Sequence, residues 1–305
     1  MSSPHVFITG ATGSQGSALA RRLLAAGWAV HSTTRDPAAP RAATLTAAGL
    51  RFTAGDWDNG DALRAAMTGC TKLFLCLMSD IASPDSERER CRAICDIARE
   101  VGITQVVSST SLGASMFGTD DRLQPGTLLY DLLRIKKDSE AMVEAGPWAS
   151  YTLLRPAYFM INFLEPNINF YAGLFRDGVW STCLKPDTRL GLIDHEDIAA
   201  VAAAALDAPD APEFKGKAIG LVSEFLSPQD TMDVLGNAMG SSFKTSFLSE
   251  EEIDALPYGP MVLIHLERSM RYMPEYVDMD RLREITPLTP FKTFLEREKE
   301  HVKKL

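Results

Sequence analysis

This sequence has little that would carry it across a bilayer, onto nucleic acid or around a metal. No apolar stretch reaches the roughly 20 residues that a membrane-spanning helix requires. Acidic side chains outnumber basic ones, 40 to 31, and the formal net charge of −9 excludes a broadly basic surface of the kind that holds nucleic acid or anionic lipid. Cysteine is sparse, five in 305 residues, at positions 70, 76, 91, 95 and 183. Cys91 and Cys95 lie one helical turn apart, but no neighbouring His or second Cys pair completes a ligand set, so no metal is expected. The five read as reduced thiols of a cytoplasmic protein, and Met1-Ser2-Ser3-Pro4 runs directly into an apolar segment without room for a signal peptide. What remains is the composition of an ordinary water-soluble globular chain, 46% hydrophobic and 23% charged.

Strand-like and helix-like segments alternate through the first half. Residues 5–9, 29–34, 51–54, 72–77, 105–109 and 150–155 are short apolar or β-branched runs. Between them lie helical patterns at 17–26, 38–48, 61–67, 86–101 and 129–144, several closed by glycine. Such alternation predicts an α/β fold, a doubly wound parallel sheet with helices on both faces. Beyond Pro156 the pattern changes. Residues 157–170 are apolar and aromatic, 197–206 form an alanine-rich helix, 217–221 read as a strand, and the chain from 227 onward reads as mostly helical. The expected division is a nucleotide-binding domain of residues 1–156 with about 190–225, and a smaller C-terminal lobe of about 157–189 with 226–305.

The most informative feature is Gly10-Ala11-Thr12-Gly13-Ser14-Gln15-Gly16, set between the first strand and the first helix. Glycine permits a tight turn and close backbone approach, and a helix N-terminus offers free N–H groups and a positive dipole end, so this is a place for a dinucleotide pyrophosphate. The spacing is G-x-x-G-x-x-G, not the commonest G-x-G-x-x-G. The second strand ends in Thr34-Arg35-Asp36-Pro37, about 20 residues further on, where the adenosine ribose is read. The planar fork of Arg35 suits a 2′-phosphate, so the expected cofactor is NADP(H); a solvated Arg35 with Asp36 on the ribose is the competing reading. Asp56 and Trp57, after the third strand, are candidates for the adenine, against a helix cap and a packing aromatic. Leu77-Met78-Ser79, after the fourth strand, are placed along the cofactor by topology alone.

Several of these stretches resemble the NmrA-like group of atypical short-chain dehydrogenases. They are the glycine heptapeptide with Gln15, the Thr34–Pro37 turn, Gly55-Asp56-Trp57-Asp58, Lys136-Lys137-Asp138-Ser139-Glu140, the block from Leu154 to Phe163 that contains Arg155-Pro156, and Asp194-His195-Glu196-Asp197-Ile198. The resemblance runs from residue 6 to about 200, and the last 80 residues or so carry no motif that matches. It implies a Rossmann-type domain holding NADP(H) through Gly10, Thr12, Gly13, Ser14, Gln15 and Gly16. It also implies one of two functions: reduction of quinones and other small conjugated molecules, or redox sensing through a protein partner without clear turnover.

Ordinary short-chain dehydrogenases use a Tyr-x-x-x-Lys pair on this helix, and here the tyrosine is missing: Leu132 and Leu133 stand four residues before Lys136 and Lys137. Tyr130 is on the wrong side of the helix. Lys136, spaced from Glu140 as in the family's Lys-x-x-x-Glu pattern, is the catalytic or ribose-holding candidate, against an exposed lysine paired with Glu140. Ser108, in the run Ser108-Ser109-Thr110, is a hydroxyl candidate at the crevice edge, against plain strand-end hydrogen bonding. Tyr158, Phe159 and Asn162 are candidates for the nicotinamide and substrate wall, along with aromatics such as Tyr258, Tyr272 and Tyr276, or they simply pack. Asp194 and Asp197 read as a helix cap and its third residue, not as metal ligands. The expected partner is a small aromatic or conjugated carbonyl substrate, with no direct nucleic-acid binding and no membrane; a protein partner or a homodimer stays open.

Overall fold

The computed structural model describes residues 3–78, 83, 85–256 and 262–302. Its strands are β1 (His5–Ile8), β2 (Ala29–Thr34), β3 (Arg51–Ala54), β4 (Lys72–Cys76), β5 (Gln105–Ser109), β6 (Ser150–Pro156), β7 (Tyr158–Phe159), β8 (Val179–Thr182), β9 (Leu190–Ile193), β10 (Lys217–Leu221), β11 (Glu224–Leu226) and β12 (Lys244–Phe247). Its helices are α1 (Ser14–Ala25), α2 (Pro40–Ala47), α3 (Gly60–Met67), α4 (Asp85–Glu100), α5 (Leu128–Glu144), α6 (Ala172–Asp177), α7 (His195–Asp207), α8 (Pro228–Met239), α9 (Glu250–Asp254), α10 (Val262–Met270), α11 (Met279–Ile285) and α12 (Phe291–Arg297). Two compact units share the chain. The first comprises residues 1–114, 134–155 and 198–219; the second comprises 115–133, 156–197 and 220–305.

The first unit is built on a seven-stranded sheet in the order β10-β6-β5-β4-β1-β2-β3. The pairings from β3 through β6 are all parallel. The apolar runs explain why: a strand buried on both faces must be apolar at consecutive positions, and Val6, Phe7, Ile8, Leu73 and Phe74 are fully buried. Leu63 and Met67 of α3, Cys91 and Ile94 of α4, and Val143 of α5 close over one face of the sheet in a continuous core with Phe7 and Leu73. Each such large side chain contributes about 1.5–3 kcal/mol by leaving water. Strand ends are tied as well as strand middles. Thr9, just past β1, accepts from the Cys76 N–H at 2.7 Å and donates to the Cys76 carbonyl at 2.9 Å.

The second unit holds a three-stranded sheet, β11-β9-β7, and a parallel pair, β12 with β8. The aromatic rings of Phe163, Trp180, Phe291 and Phe294 form its core. The region from 227 is mostly helical, as its pattern predicts, with β12 set between α8 and α9, and the apolar, aromatic stretch 157–170 folds into β7 and two 3-10 turns. β7, β12 and the two turns are two to four residues long, too short to show a periodicity. Helix α1 starts earlier than expected, at Ser14, because Gly13 is its N-cap and the last glycine lies inside the first turn.

Candidate functional site

The glycine turn closes tightly. Gly10 has φ +63°, a left-handed conformation that disfavours any side chain, and its carbonyl accepts from the Gly13 N–H at 2.9 Å. A Cβ on Gly16 would stand 2.3 Å from the Gly10 carbonyl oxygen, so the first turn of α1 can lie on the end of β1 only with glycine there. The N–H groups of Ser14, Gln15 and Gly16 are left outside the helix ladder, as at any helix start. Gly13 caps the helix without a side chain, so among the described residues no side-chain cap occupies those donors. Thr12 and Ser14 are half-buried beside them.

Gln15 reaches across the carboxyl edge of the sheet. Its Nε2 donates to the Cys76 Sγ at 3.4 Å, and the Ser109 hydroxyl donates to its Oε1 at 2.7 Å. Burial pushes the Cys76 thiol up to about 11, so it stays neutral. The strand-end hydroxyl joined to the glycine turn is therefore that of Ser109; Ser108 is buried within β5, opposite Leu75 and Leu153. Trp57 also meets the turn, since a Cβ on Gly10 would lie 3.6 Å from its ring, and it packs on the core as well. Asp56 is exposed and accepts from the Asp58 N–H at 3.1 Å; the cap of α3 is Asn59, not Asp56.

At the end of β2, Arg35 is exposed and has no hydrogen-bond or ion-pair partner among the described residues. Asp36 is occupied within its own turn, accepting from the Ala38 N–H at 2.9 Å. Met78, just past β4, is 77% exposed, whereas Leu77 sits in the core. Ser79 and Tyr258 lie outside the described residues.

Lys136 does not pair with Glu140. Its ammonium donates to both oxygens of Glu87, at 2.8 and 2.9 Å, and to the Leu77 carbonyl at 3.1 Å. The spacing to Glu140 misled because Glu140 is engaged elsewhere: Arg155 grips it with two N–H groups, Thr110 donates to it at 2.8 Å, and Lys137 lies at 3.3 Å. Glu87 is 2% exposed and was missed because it lies in a Glu-Arg-Glu-Arg run that reads as a solvated face. A signal was present: Glu87, Cys91 and Cys95 share one helical face, and all three are buried. Tyr130 packs on Phe117, with ring centroids 5.1 Å apart.

In the second unit Tyr158 is buried in β7. Its hydroxyl bonds that of Tyr171 and donates to Glu267 at 3.3 Å. Thr182 donates to the other Glu267 oxygen at 2.7 Å. Burial raises this carboxyl to about 7. Asn162 is half-buried in the 3-10 turn Met160–Phe163. Asp194 caps α7 through the Glu196 N–H at 3.0 Å and is gripped twice by Arg297. Burial lowers the His195 pKa. Among the described residues no group of three metal-ligating side chains converges, and no helix is long and apolar enough to cross a membrane.

An NAD(P)H azoreductase from Xenophilus azovorans is 30% identical over 204 residues, 67% of this chain; the match spans 64% of that protein, under two thirds of its length. Among solved structures, an NADPH-dependent quinone oxidoreductase from Escherichia coli, crystallised with NADPH, superposes with a TM-score of 0.74 at 20% identity, covering 96% of this chain and 99% of that one. NmrA, a negative transcriptional regulator crystallised with NADP, gives 0.75 at 18% identity and 98% of each chain. At such identities the likeness is one of fold. The NmrA-like family model matches residues 2–295, and the chain belongs to the NmrA-like family.

Proposed function

We propose that this protein is an NADP(H)-dependent oxidoreductase that reduces a small aromatic, quinone or conjugated carbonyl compound. The observation that carries the reading is the glycine turn, where the first three N–H groups of α1 are free of any side-chain cap and Gly16 leaves the close approach that a Cβ would fill. These residues fit a pyrophosphate, held by the N–H groups of Ser14, Gln15 and Gly16 with Thr12 beside them. Arg35 takes the 2′-phosphate: it is exposed and unpaired among the described residues, while the Asp36 carboxylate is committed to its own turn. Asp56 and Trp57 take the adenine, Leu77 and Met78 flank the cofactor past β4, and Ser109, joined to Gln15, supplies the strand-end hydroxyl on this reading.

When bound, the reduced nicotinamide supplies hydride. Lys136 holds the ribose or the substrate oxygen. The similarity to an azoreductase and to the fold of a quinone oxidoreductase supports the reaction class. A second reading, a sensor of NADP(H) acting through a protein partner, is favoured by two observations: α5 lacks the proton-donating tyrosine, and the three donors of Lys136 are all engaged. NADPH consumption against a panel of quinones and enones tests the choice. Turnover lost in Lys136→Ala supports the reductase; tight NADPH binding without turnover on any compound moves the protein to the sensor.

A further inference from the structure

The three N–H groups of Lys136 are not equivalent. Two are fixed on one carboxylate, that of Glu87, which is almost fully shielded from water. The third rests on the Leu77 carbonyl at the longest of the three distances. That carbonyl belongs to the peptide joining buried Leu77 to highly exposed Met78. It is also one residue beyond Cys76, whose thiol is tied to Gln15 of the glycine turn. The lysine side chain is 15% exposed, against 2% for the carboxylate that anchors it. Lys137 has no such arrangement: the carboxylate it approaches already takes two N–H groups from Arg155 and one hydroxyl from Thr110.

We propose that Glu87 is the positioning residue of Lys136: it grips the ammonium through two N–H groups and leaves the third, now on the Leu77 carbonyl, to be handed to the nicotinamide-side ribose of the cofactor. The inference rests on the NADP(H) reading above. Glu87 touches neither cofactor nor substrate and acts only through the lysine. A neutral amide in its place offers one acceptor instead of two and carries a donor that competes for the Leu77 carbonyl. The lysine then loses its fixed orientation, and misplacement by about 1 Å is enough to cost on the order of 100-fold in rate.

The test compares two ligands on the full chain: NADPH, which carries the nicotinamide half, and adenosine 2′,5′-bisphosphate, which does not. Glu87→Gln should weaken NADPH by about tenfold or more, a loss of roughly 1.4 kcal/mol. It should leave the bisphosphate unchanged, because that fragment is held by the glycine turn and Arg35. Glu87→Asp, which keeps the charge, should restore part of the loss. The double variant Glu87→Met/Lys136→Met should be no worse than Lys136→Met alone. A purely structural role would move both ligands together, and that result overturns the proposal, as does an unchanged NADPH affinity in a folded Glu87→Gln. If Glu87→Gln does not fold, the double variant, apolar on both sides, carries the same comparison against Lys136→Met. A wild-type chain that binds neither ligand overturns the cofactor reading and this inference with it; one that binds both, with Glu87→Gln behaving identically, removes only Glu87.

Discussion

The two units bury glutamates in opposite ways. In the first, each buried acid meets cations: Glu140 holds Arg155 and Lys137, and Glu87 holds Lys136. In the second, Glu267 meets only hydroxyl and backbone donors among the described residues, from Tyr158, Thr182 and Cys183. A buried carboxylate needs its charge balanced or its proton retained. Glu140 takes the first course, so it can act as a fixed anchor joining α5 to the ends of β5 and β6. Glu267 takes the second, and burial raises its carboxyl to about 7, so its charge changes within the physiological range. The first arrangement suits a rigid frame for a charged ligand; the second makes one region answer to pH.

Removing one partner from the cation-balanced side should have the largest effect. Arg155→Met strands the Glu140 carboxylate, 0% exposed, with a single weak ion pair. The expected cost is about 3–5 kcal/mol of folding stability, read by urea denaturation. A loss under about 1 kcal/mol would show that Thr110 and Lys137 suffice and would erase the contrast. Next in size is the pH response of Glu267. A carboxyl raised in the folded state binds its proton more tightly there. Its stabilising effect is therefore complete below the ordinary 4.5 and is lost as pH rises to about 7. Across that window it should remove about 3 kcal/mol. Denaturation curves at several pH values should show this decline in wild type, and Glu267→Gln should flatten it. An equal slope in both proteins would mean that Glu267 is charged throughout. The smallest effect is expected from Tyr158→Phe, which deletes one donor to Glu267 and should cost about 1 kcal/mol. If Tyr158→Phe also abolishes turnover while stability barely changes, Tyr158 has a role beyond packing.

The frame of the first unit was legible because its information is local. Runs such as Val6-Phe7-Ile8 and Leu73-Phe74 announce buried strands, and Gly10, Gly13 and Gly16 announce a turn in which Gly13 and Gly16 close on Gly10 and Ala11. The Asp194 cap was legible for the same reason. Side-chain partnership across elements was not. Lys136 and Glu140 have helical spacing, yet α5 meets α4 and β6 along different faces, so Glu87 takes the lysine and Arg155 takes the glutamate. Glu267 could not be read at all, since its environment comes from β7, β8 and the turn before α6, elements too short to show a pattern.

One measurement tests the central claim most directly: titration of the purified protein with NADPH and with NADH, in wild type and in Arg35→Ala, followed by tryptophan fluorescence. The account predicts that wild type prefers NADPH, and that Arg35→Ala loses about 1–3 kcal/mol of NADPH affinity while NADH is unaffected. Equal binding of the two cofactors by wild type, unchanged by the substitution, would contradict it.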